Sequence, residues 1–356
     1  MHIARRLTAG LALAWLAVAT SFAQQASPPP PAAALPKVLL MGTGGTISNR
    51  AGGRMTVDEL IKSIPNLERV VRAEGEQFAN VSSGEITLDQ WLDLSRRIND
   101  RYKKDAELAG VVVTSGTDTL EELAYFLHLT VRDVRPVVVV GSMRNPSTLG
   151  YEGAANLEDA FRVAADPASR DMGALVVLND EINSAREATK SDARLLSTFT
   201  SRDYGVLGTI VDRVAYFRKP LKRHTANSEF DVTKITSLPR VDVLLMYQGA
   251  PGDLIQAAVD AGAKGIVVAG AGAGAMSGSQ SQAAAYAVNK GAFVVTTTRT
   301  GGGSVGGGGT GRGGPTGPGG RLSGDDLQPV KARILLMLAI ATTTDANEVR
   351  RMFREY

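Results

Sequence analysis

From Pro36 onward, short runs of valine and leucine alternate with longer stretches whose apolar residues recur every three or four positions. The runs 38–41, 111–114, 137–140 and 175–178 are apolar at nearly every position, as in parallel strands buried on both faces. Between them, 87–103 opens with Thr87 and Gln90 in capping-box spacing and carries Leu88, Trp91, Leu92 and Ser95 on one helical face. Residues 119–129 and 153–165 read as further helices. Strands joined by crossover helices predict a doubly wound α/β domain over 37–222. The stretch 222–238 is polar with no sustained apolar period, and it predicts a linker over 223–239. A smaller C-terminal α/β domain follows over 240–356, with strands at 241–246, 266–269 and 293–297, helices at 251–261 and 279–290, and two closing helices at 329–342 and 345–356. It contains the tract 301–324, with 14 glycines in 24 residues, which predicts a long insert without regular structure.

The N-terminus breaks this alternation. Arg5 and Arg6 precede an apolar stretch over 7–20 and the small-residue site Ser21-Phe22-Ala23, which together predict a secretory signal over 1–23, cleaved near Ala23. A stiff leader with Pro28–Pro31 follows over 24–36. The apolar run is shorter than the roughly 20 residues a membrane span needs, so the mature chain of about 333 residues is expected in the periplasm or secreted, with no membrane attachment. Losing Arg5 and Arg6 leaves 37 basic against 36 acidic side chains, a balance that argues against a nucleic-acid partner. The absence of cysteine excludes disulfides, thiolate metal sites and a cysteine nucleophile.

Two Gly/Thr turns end buried strands: Thr43-Gly44-Gly45-Thr46-Ile47, and Thr114-Ser115-Gly116-Thr117-Asp118-Thr119. In open α/β sheets ligands bind outside the carboxyl ends of the strands, so the turns would bring two hydroxyls and a carboxylate into one pocket. Ser83, Ser142 and Lys190 stand where other strands of this domain end, Lys190 in a loop over 188–191. A threonine hydroxyl attacks only when a base takes its proton, and Lys190 beside Asp118 suits a Thr117–Lys190–Asp118 relay better than a freely neutral base. The same residue types also serve as ordinary caps and loop residues.

Other motifs carry less. Gly302-Gly303-Ser304-Val305-Gly306 matches a nucleophile elbow by chance within a glycine tract, with no helix-forming sequence after it. Residues 270–275 fit a dinucleotide pattern, yet no acid occurs between Asp260 and Asp325 to hold a ribose. His128 and His224 have no ligand-spaced partners, His128 reads as structural, and no metal or organic cofactor is expected.

The chain over 35–356 resembles the bacterial type II L-asparaginases. The resemblance is carried by Gly42-Thr43-Gly44-Gly45-Thr46-Ile47, by Ser115-Gly116-Thr117-Asp118-Thr119-Leu120-Glu121-Glu122, by 136–141 running into Ser142-Met143-Arg144, and by Thr189-Lys190. Gly75-Glu76-Gln77-Phe78, Phe230-Asp231-Val232 and Ala332-Arg333-Ile334-Leu335-Leu336 add to it. It implies an amidohydrolase that converts L-asparagine to L-aspartate and ammonia, with a lesser glutaminase activity, and that assembles as a homotetramer. It further implies Thr46 as nucleophile, Thr117, Asp118 and Lys190 as the supporting relay, and Ser83, Gly116, Thr117, Asp118 and Ser142 as the substrate-binding set.

This sequence departs from the family pattern in three places. The family's activating tyrosine follows the first motif, whereas here 50–54 leads into Met55 and no tyrosine occurs between Thr46 and Tyr102. The glutamate that a neighbouring subunit brings to that tyrosine is replaced by the acid-free glycine tract, and Ala275 stands where a second-domain polar side chain is expected. The competing reading is an asparaginase-fold amino-acid binding or regulatory protein with impaired catalysis. A two-lobed solute-binding protein would have no need of the Thr46, Thr117, Asp118 and Lys190 set.

Overall fold

A computed structural model describes residues 34–222, 225–306 and 319–356. The expected signal and most of the leader, His224, and the middle of the glycine tract with Arg312 lie outside the described residues. Residues Leu35–Tyr356 form one compact unit. Among the described residues no helix is long and apolar enough to cross a membrane.

The first part of the chain runs β1 (Lys37–Gly44), the hairpin β2 (Asn49–Arg50) and β3 (Gly53–Arg54), α1 (Val57–Lys62), β4 (Arg72–Val81), α2 (Leu88–Lys104), β5 (Leu108–Thr114) and α3 (Leu120–Thr130). It continues with β6 (Val137–Val140), α4 (Gly153–Ala165), β7 (Ala174–Leu178), β8 (Glu181–Ser184), the short pair β9 (Thr189–Lys190) and β10 (Phe199–Thr200), β11 (Gly208–Ile210) and β12 (Val214–Tyr216). Eight strands make one sheet in the order β12-β11-β8-β7-β6-β5-β1-β4. The five from β4 to β7 are parallel, and β8, β11 and β12 extend the sheet antiparallel.

The strand side chains alternate between two cores. Val38, Leu40, Val112, Val138 and Val140 pack with Leu157 and Phe161 of α4, whereas Leu39, Met41, Val111, Val113 and Val139 face α2 and α3. The Thr87 hydroxyl accepts the Gln90 N–H at 3.2 Å and the Gln90 side chain accepts the Thr87 N–H at 2.9 Å, so the capping box opens α2.

The second part runs β13 (Val241–Leu245), α5 (Asp253–Asp260), β14 (Gly265–Gly270), α6 (Gly278–Asn289), β15 (Phe293–Thr298), β16 (Arg321–Ser323), α7 (Pro329–Thr342) and α8 (Ala346–Glu355). Its four strands form a smaller, all-parallel sheet. The architecture is therefore α/β, with a large N-terminal sheet and a smaller C-terminal one.

One expectation needs correcting. The glycine tract is not irregular throughout, because Arg321–Ser323 pairs with Val294–Thr296 as the edge strand β16. The segment expected as a linker packs onto the fold: Phe230, Val232 and Ile235 are buried in the core, and the Arg96 guanidinium donates to the carbonyls of Val232 at 2.9 Å and Ile235 at 2.6 Å.

Candidate active site

The large sheet switches direction beside β1. The chain places β4 on one side of β1 and then crosses to place β5 on the other, so the crevice lies above the carboxyl ends of these three strands. The turns after them converge there. The Thr43 N–H donates to Thr114 Oγ1 at 3.0 Å, and the Thr43 hydroxyl donates to the Thr114 carbonyl at 2.6 Å, tying β1 to β5. Gly45 donates to the Val81 carbonyl at 2.9 Å, tying β1 to β4.

This convergence explains the two glycines before Thr46. Gly44 and Gly45 have φ of +105° and +89°, where side chains are strained. A Cβ on Gly44 would stand 2.4 Å from the Val81 carbonyl oxygen, and one on Gly45 would stand 2.4 Å from the Gly116 nitrogen. The backbone of the first turn thus lies directly on that of the second. A Cβ on Gly116 would in turn stand 2.9 Å from Ser83 Oγ, so Ser83 joins the same point.

Thr46 opens a short 3-10 turn, Thr46–Ser48, and is half-buried at its rim. Two side chains hold that turn. The Arg54 guanidinium donates to the Gly45 carbonyl at 3.1 Å and to Ser82 Oγ at 3.3 Å, and the Tyr151 hydroxyl donates to the Ile47 carbonyl at 2.9 Å. Neither residue carries a motif that marks it in the sequence. Met55 is buried in the apolar core with Ile47, Val57 and Leu60.

Thr117, Asp118 and Lys190 come together at the start of α3. Lys190 Nζ donates to Thr117 Oγ1 at 3.0 Å and to Asp118 Oδ1 at 2.7 Å. Thr117 is buried and the Lys190 side chain nearly so, whereas that of Asp118 is 86% exposed and open to a ligand. Lys190 sits not in a loop but in β9, paired with Phe199, which fixes the direction from which its amine arrives. Ser142 is fully buried, and its hydroxyl donates to the Arg144 carbonyl at 2.6 Å, a bond within its own turn. His128 is buried too, its Nδ1 accepting the Ala174 N–H at 3.3 Å.

Behind these three side chains lies a set of charges that polarity alone would assign to the surface. The guanidinium of Arg186 pairs with both oxygens of Asp326 at 2.7 Å, and the Tyr204 hydroxyl donates to Asp326 at 2.6 Å. Burial pushes the Asp326 carboxyl up, but the bonds from Arg186 prevail and hold it below the usual carboxylate range. Burial also raises the pKa of Glu122, which Arg333 offsets from 3.6 Å.

Comparison with known proteins identifies the fold and the family. Residues 37–222 match the family model described as "Asparaginase, N-terminal", and residues 240–353 match "Glutaminase/Asparaginase C-terminal domain". The chain is 40% identical to "L-asparaginase 2" of Bacillus subtilis (strain 168), over 90% of this chain and 87% of that protein. It is 38% identical to "L-asparaginase 2" of Escherichia coli (strain K12), over 91% of this chain and 94% of that one. Among solved structures, the probable cytoplasmic L-asparaginase of Campylobacter jejuni superposes with a TM-score of 0.83 at 37% identity, covering 90% of this chain and 99% of that one. With matches this extensive over both sheets, the chain belongs to the asparaginase family.

Proposed function

We propose that this protein hydrolyses the side-chain amide of L-asparagine with Thr46 as nucleophile. The hydroxyl oxygen of Thr46 attacks the amide carbon and the C–N bond breaks. The nitrogen leaves as ammonia, carrying the proton given up by the nucleophile, and water then cleaves the aspartyl-enzyme to L-aspartate and free Thr46. The observation that carries this reading is the convergence of Gly44–Gly45–Thr46 on Gly116–Thr117–Asp118, with the Lys190 amine 3.0 Å from Thr117 Oγ1.

Each remaining role follows from chemistry. The developing oxyanion needs donors aimed at it, and the backbone N–H groups of the glycine turns are fixed donors at the crevice. The exposed Asp118 carboxylate suits the substrate's α-ammonium, and Ser83 and Gly116 suit its α-carboxylate. Glutamine, one methylene longer, is the lesser substrate. The charged and apolar pattern of residues 1–23 supports export to the periplasm or beyond. The exposed apolar side chains of Leu245, Tyr247 and Leu254 suit contacts between copies in a homotetramer.

The test is ammonia release from L-asparagine by purified wild type and Thr46→Ala. The wild type turns over and Thr46→Ala falls to background with a nearly unchanged melting temperature, since only a hydroxyl and a methyl group at a half-buried rim are lost. Near wild-type release by Thr46→Ala refutes the nucleophile assignment.

A further inference from the structure

Lys331 lies in α7 with its side chain wholly out of solvent, on a helix whose Ala332, Ile334 and Leu335 belong to the core. Lysine is almost never buried so completely without partners. Here Nζ donates to the carbonyl of Arg186 at 3.0 Å and to that of Ala188. It also stands 4.0 Å from Oε2 of Glu121 on α3, an oxygen with no hydrogen-bond partner of its own. The other carboxylate oxygen of Glu121 accepts the backbone N–H of Lys190 at 3.3 Å.

These contacts all meet on one segment. Residues 186–190 lead into the lysine of the relay. Two of their carbonyls are held by Lys331, their last N–H by Glu121, and the Arg186 side chain by Asp326. The charged groups facing Lys331 are Glu121, Arg186, Glu187 and Asp326. Burial drives the pKa of Lys331 down to about 8, with Glu121 acting against it. An ammonium kept at this desolvation cost is poor stabilisation compared with a packed apolar side chain. What it supplies is three directed N–H donors where the backbone must be fixed.

We propose that Lys331 is a positioning residue for the relay: through the Arg186 and Ala188 carbonyls and through Glu121 it fixes the backbone from which Lys190 reaches Thr117 and Asp118. This rests on the reading of Lys190 as part of the hydrolytic site. A displacement of about 1 Å at such a group costs on the order of 10²-fold in rate.

Wild type, Lys331→Met and Lys331→Gln are compared by steady-state ammonia release from L-asparagine and by thermal melting. Lys331→Met lowers kcat by about 10–10²-fold and changes KM much less, because Lys331 itself touches none of the groups that grip the substrate. Lys331→Gln, whose amide still donates to the carbonyls, recovers part of that loss. Glu121→Ala, which frees the Lys190 N–H, repeats the kcat loss and stands in if Lys331→Met does not fold. A folded Lys331→Met or Glu121→Ala with wild-type kcat overturns the proposal. So does a Lys331→Met in which kcat and melting temperature fall and KM rises together while Lys331→Gln restores nothing. A wild type that releases no ammonia defeats the hydrolase reading itself, whereas an active wild type with unaffected variants defeats only the role of Lys331.

Discussion

Taking away the Lys190 amine and the Thr117 hydroxyl, singly and together, distinguishes a shared proton path from two independent contacts. Lys190→Met removes bonds of 3.0 Å to Thr117 Oγ1 and 2.7 Å to Asp118 Oδ1. Its effect on stability is small, because the Asp118 side chain is 86% exposed and an ion pair with one partner in water is worth under about 1 kcal/mol. Its effect on turnover is large, since a positioned acid or base contributes roughly 10²–10⁴-fold, or about 3–5 kcal/mol of barrier. Thr117→Val keeps the shape of a buried side chain and deletes only the hydroxyl. Groups that move one proton act as a unit, so with each single change costing about 10³-fold the double variant lies near 10³ rather than 10⁶. Ammonia release under saturating asparagine gives the rates, and urea unfolding gives the stabilities. A double variant slowed by the product of the single effects refutes the shared path. A Lys190→Met that loses several kcal/mol of stability refutes the claim that this amine serves chemistry rather than the fold.

Asp326→Asn takes from the Arg186 guanidinium, whose side chain is 4% exposed, its carboxylate partner just before α7, leaving it the bond to the Tyr356 backbone oxygen, and costs about 3 kcal/mol in urea unfolding, with the cost shrinking in acid. The sign follows from the lowered Asp326 pKa: its contribution is complete above the ordinary value of 3.8 and is lost as pH falls towards the folded value. Lys331 works in the opposite pH range. Its folded pKa of about 8 lies below the ordinary 10.5, so between these values the unfolded chain binds the extra proton. Wild type therefore gains about 3 kcal/mol on Lys331→Met as pH rises from 8 to 10.5, and a difference that stays flat across that range contradicts the assignment.

What the sequence reveals and what it hides divide along burial. The parallel strands are readable because both faces are covered, which makes 111–114 and 137–140 continuous apolar runs. β4 is only partly readable: as an edge strand with mixed exposure it shows an apolar end near Val81 but not its start at Arg72. The antiparallel strands β8, β11 and β12 are only three or four residues long and of mixed polarity, and period alone does not mark them. The three anchors Phe230, Val232 and Ile235 are spaced too irregularly to show a helix or a strand, so their segment reads as a linker. At the site, Gly44, Gly45 and Gly116 are legible because close backbone approach demands glycine. Arg54, Tyr151, Arg186 and Lys331 are not, because each acts on a backbone carbonyl or a distant partner that only the tertiary fold brings near.

One core cluster runs without interruption from Leu39 and Val139 of the large sheet, through Leu123 of α3 and Leu335 of α7, to Val267 and Val295 of the small one. Two sheets joined by one core in this way are expected to move as one body among the described residues, which disfavours clamshell closure on a ligand. Entry and exit must be managed by something much smaller, and the β2–β3 hairpin beside Thr46, where a Cβ on Gly52 or Gly53 would meet only open space, is of the right scale. The same continuity means that each sheet loses part of the cover on its shared face if the other melts, so denaturant should dismantle both in a single cooperative step.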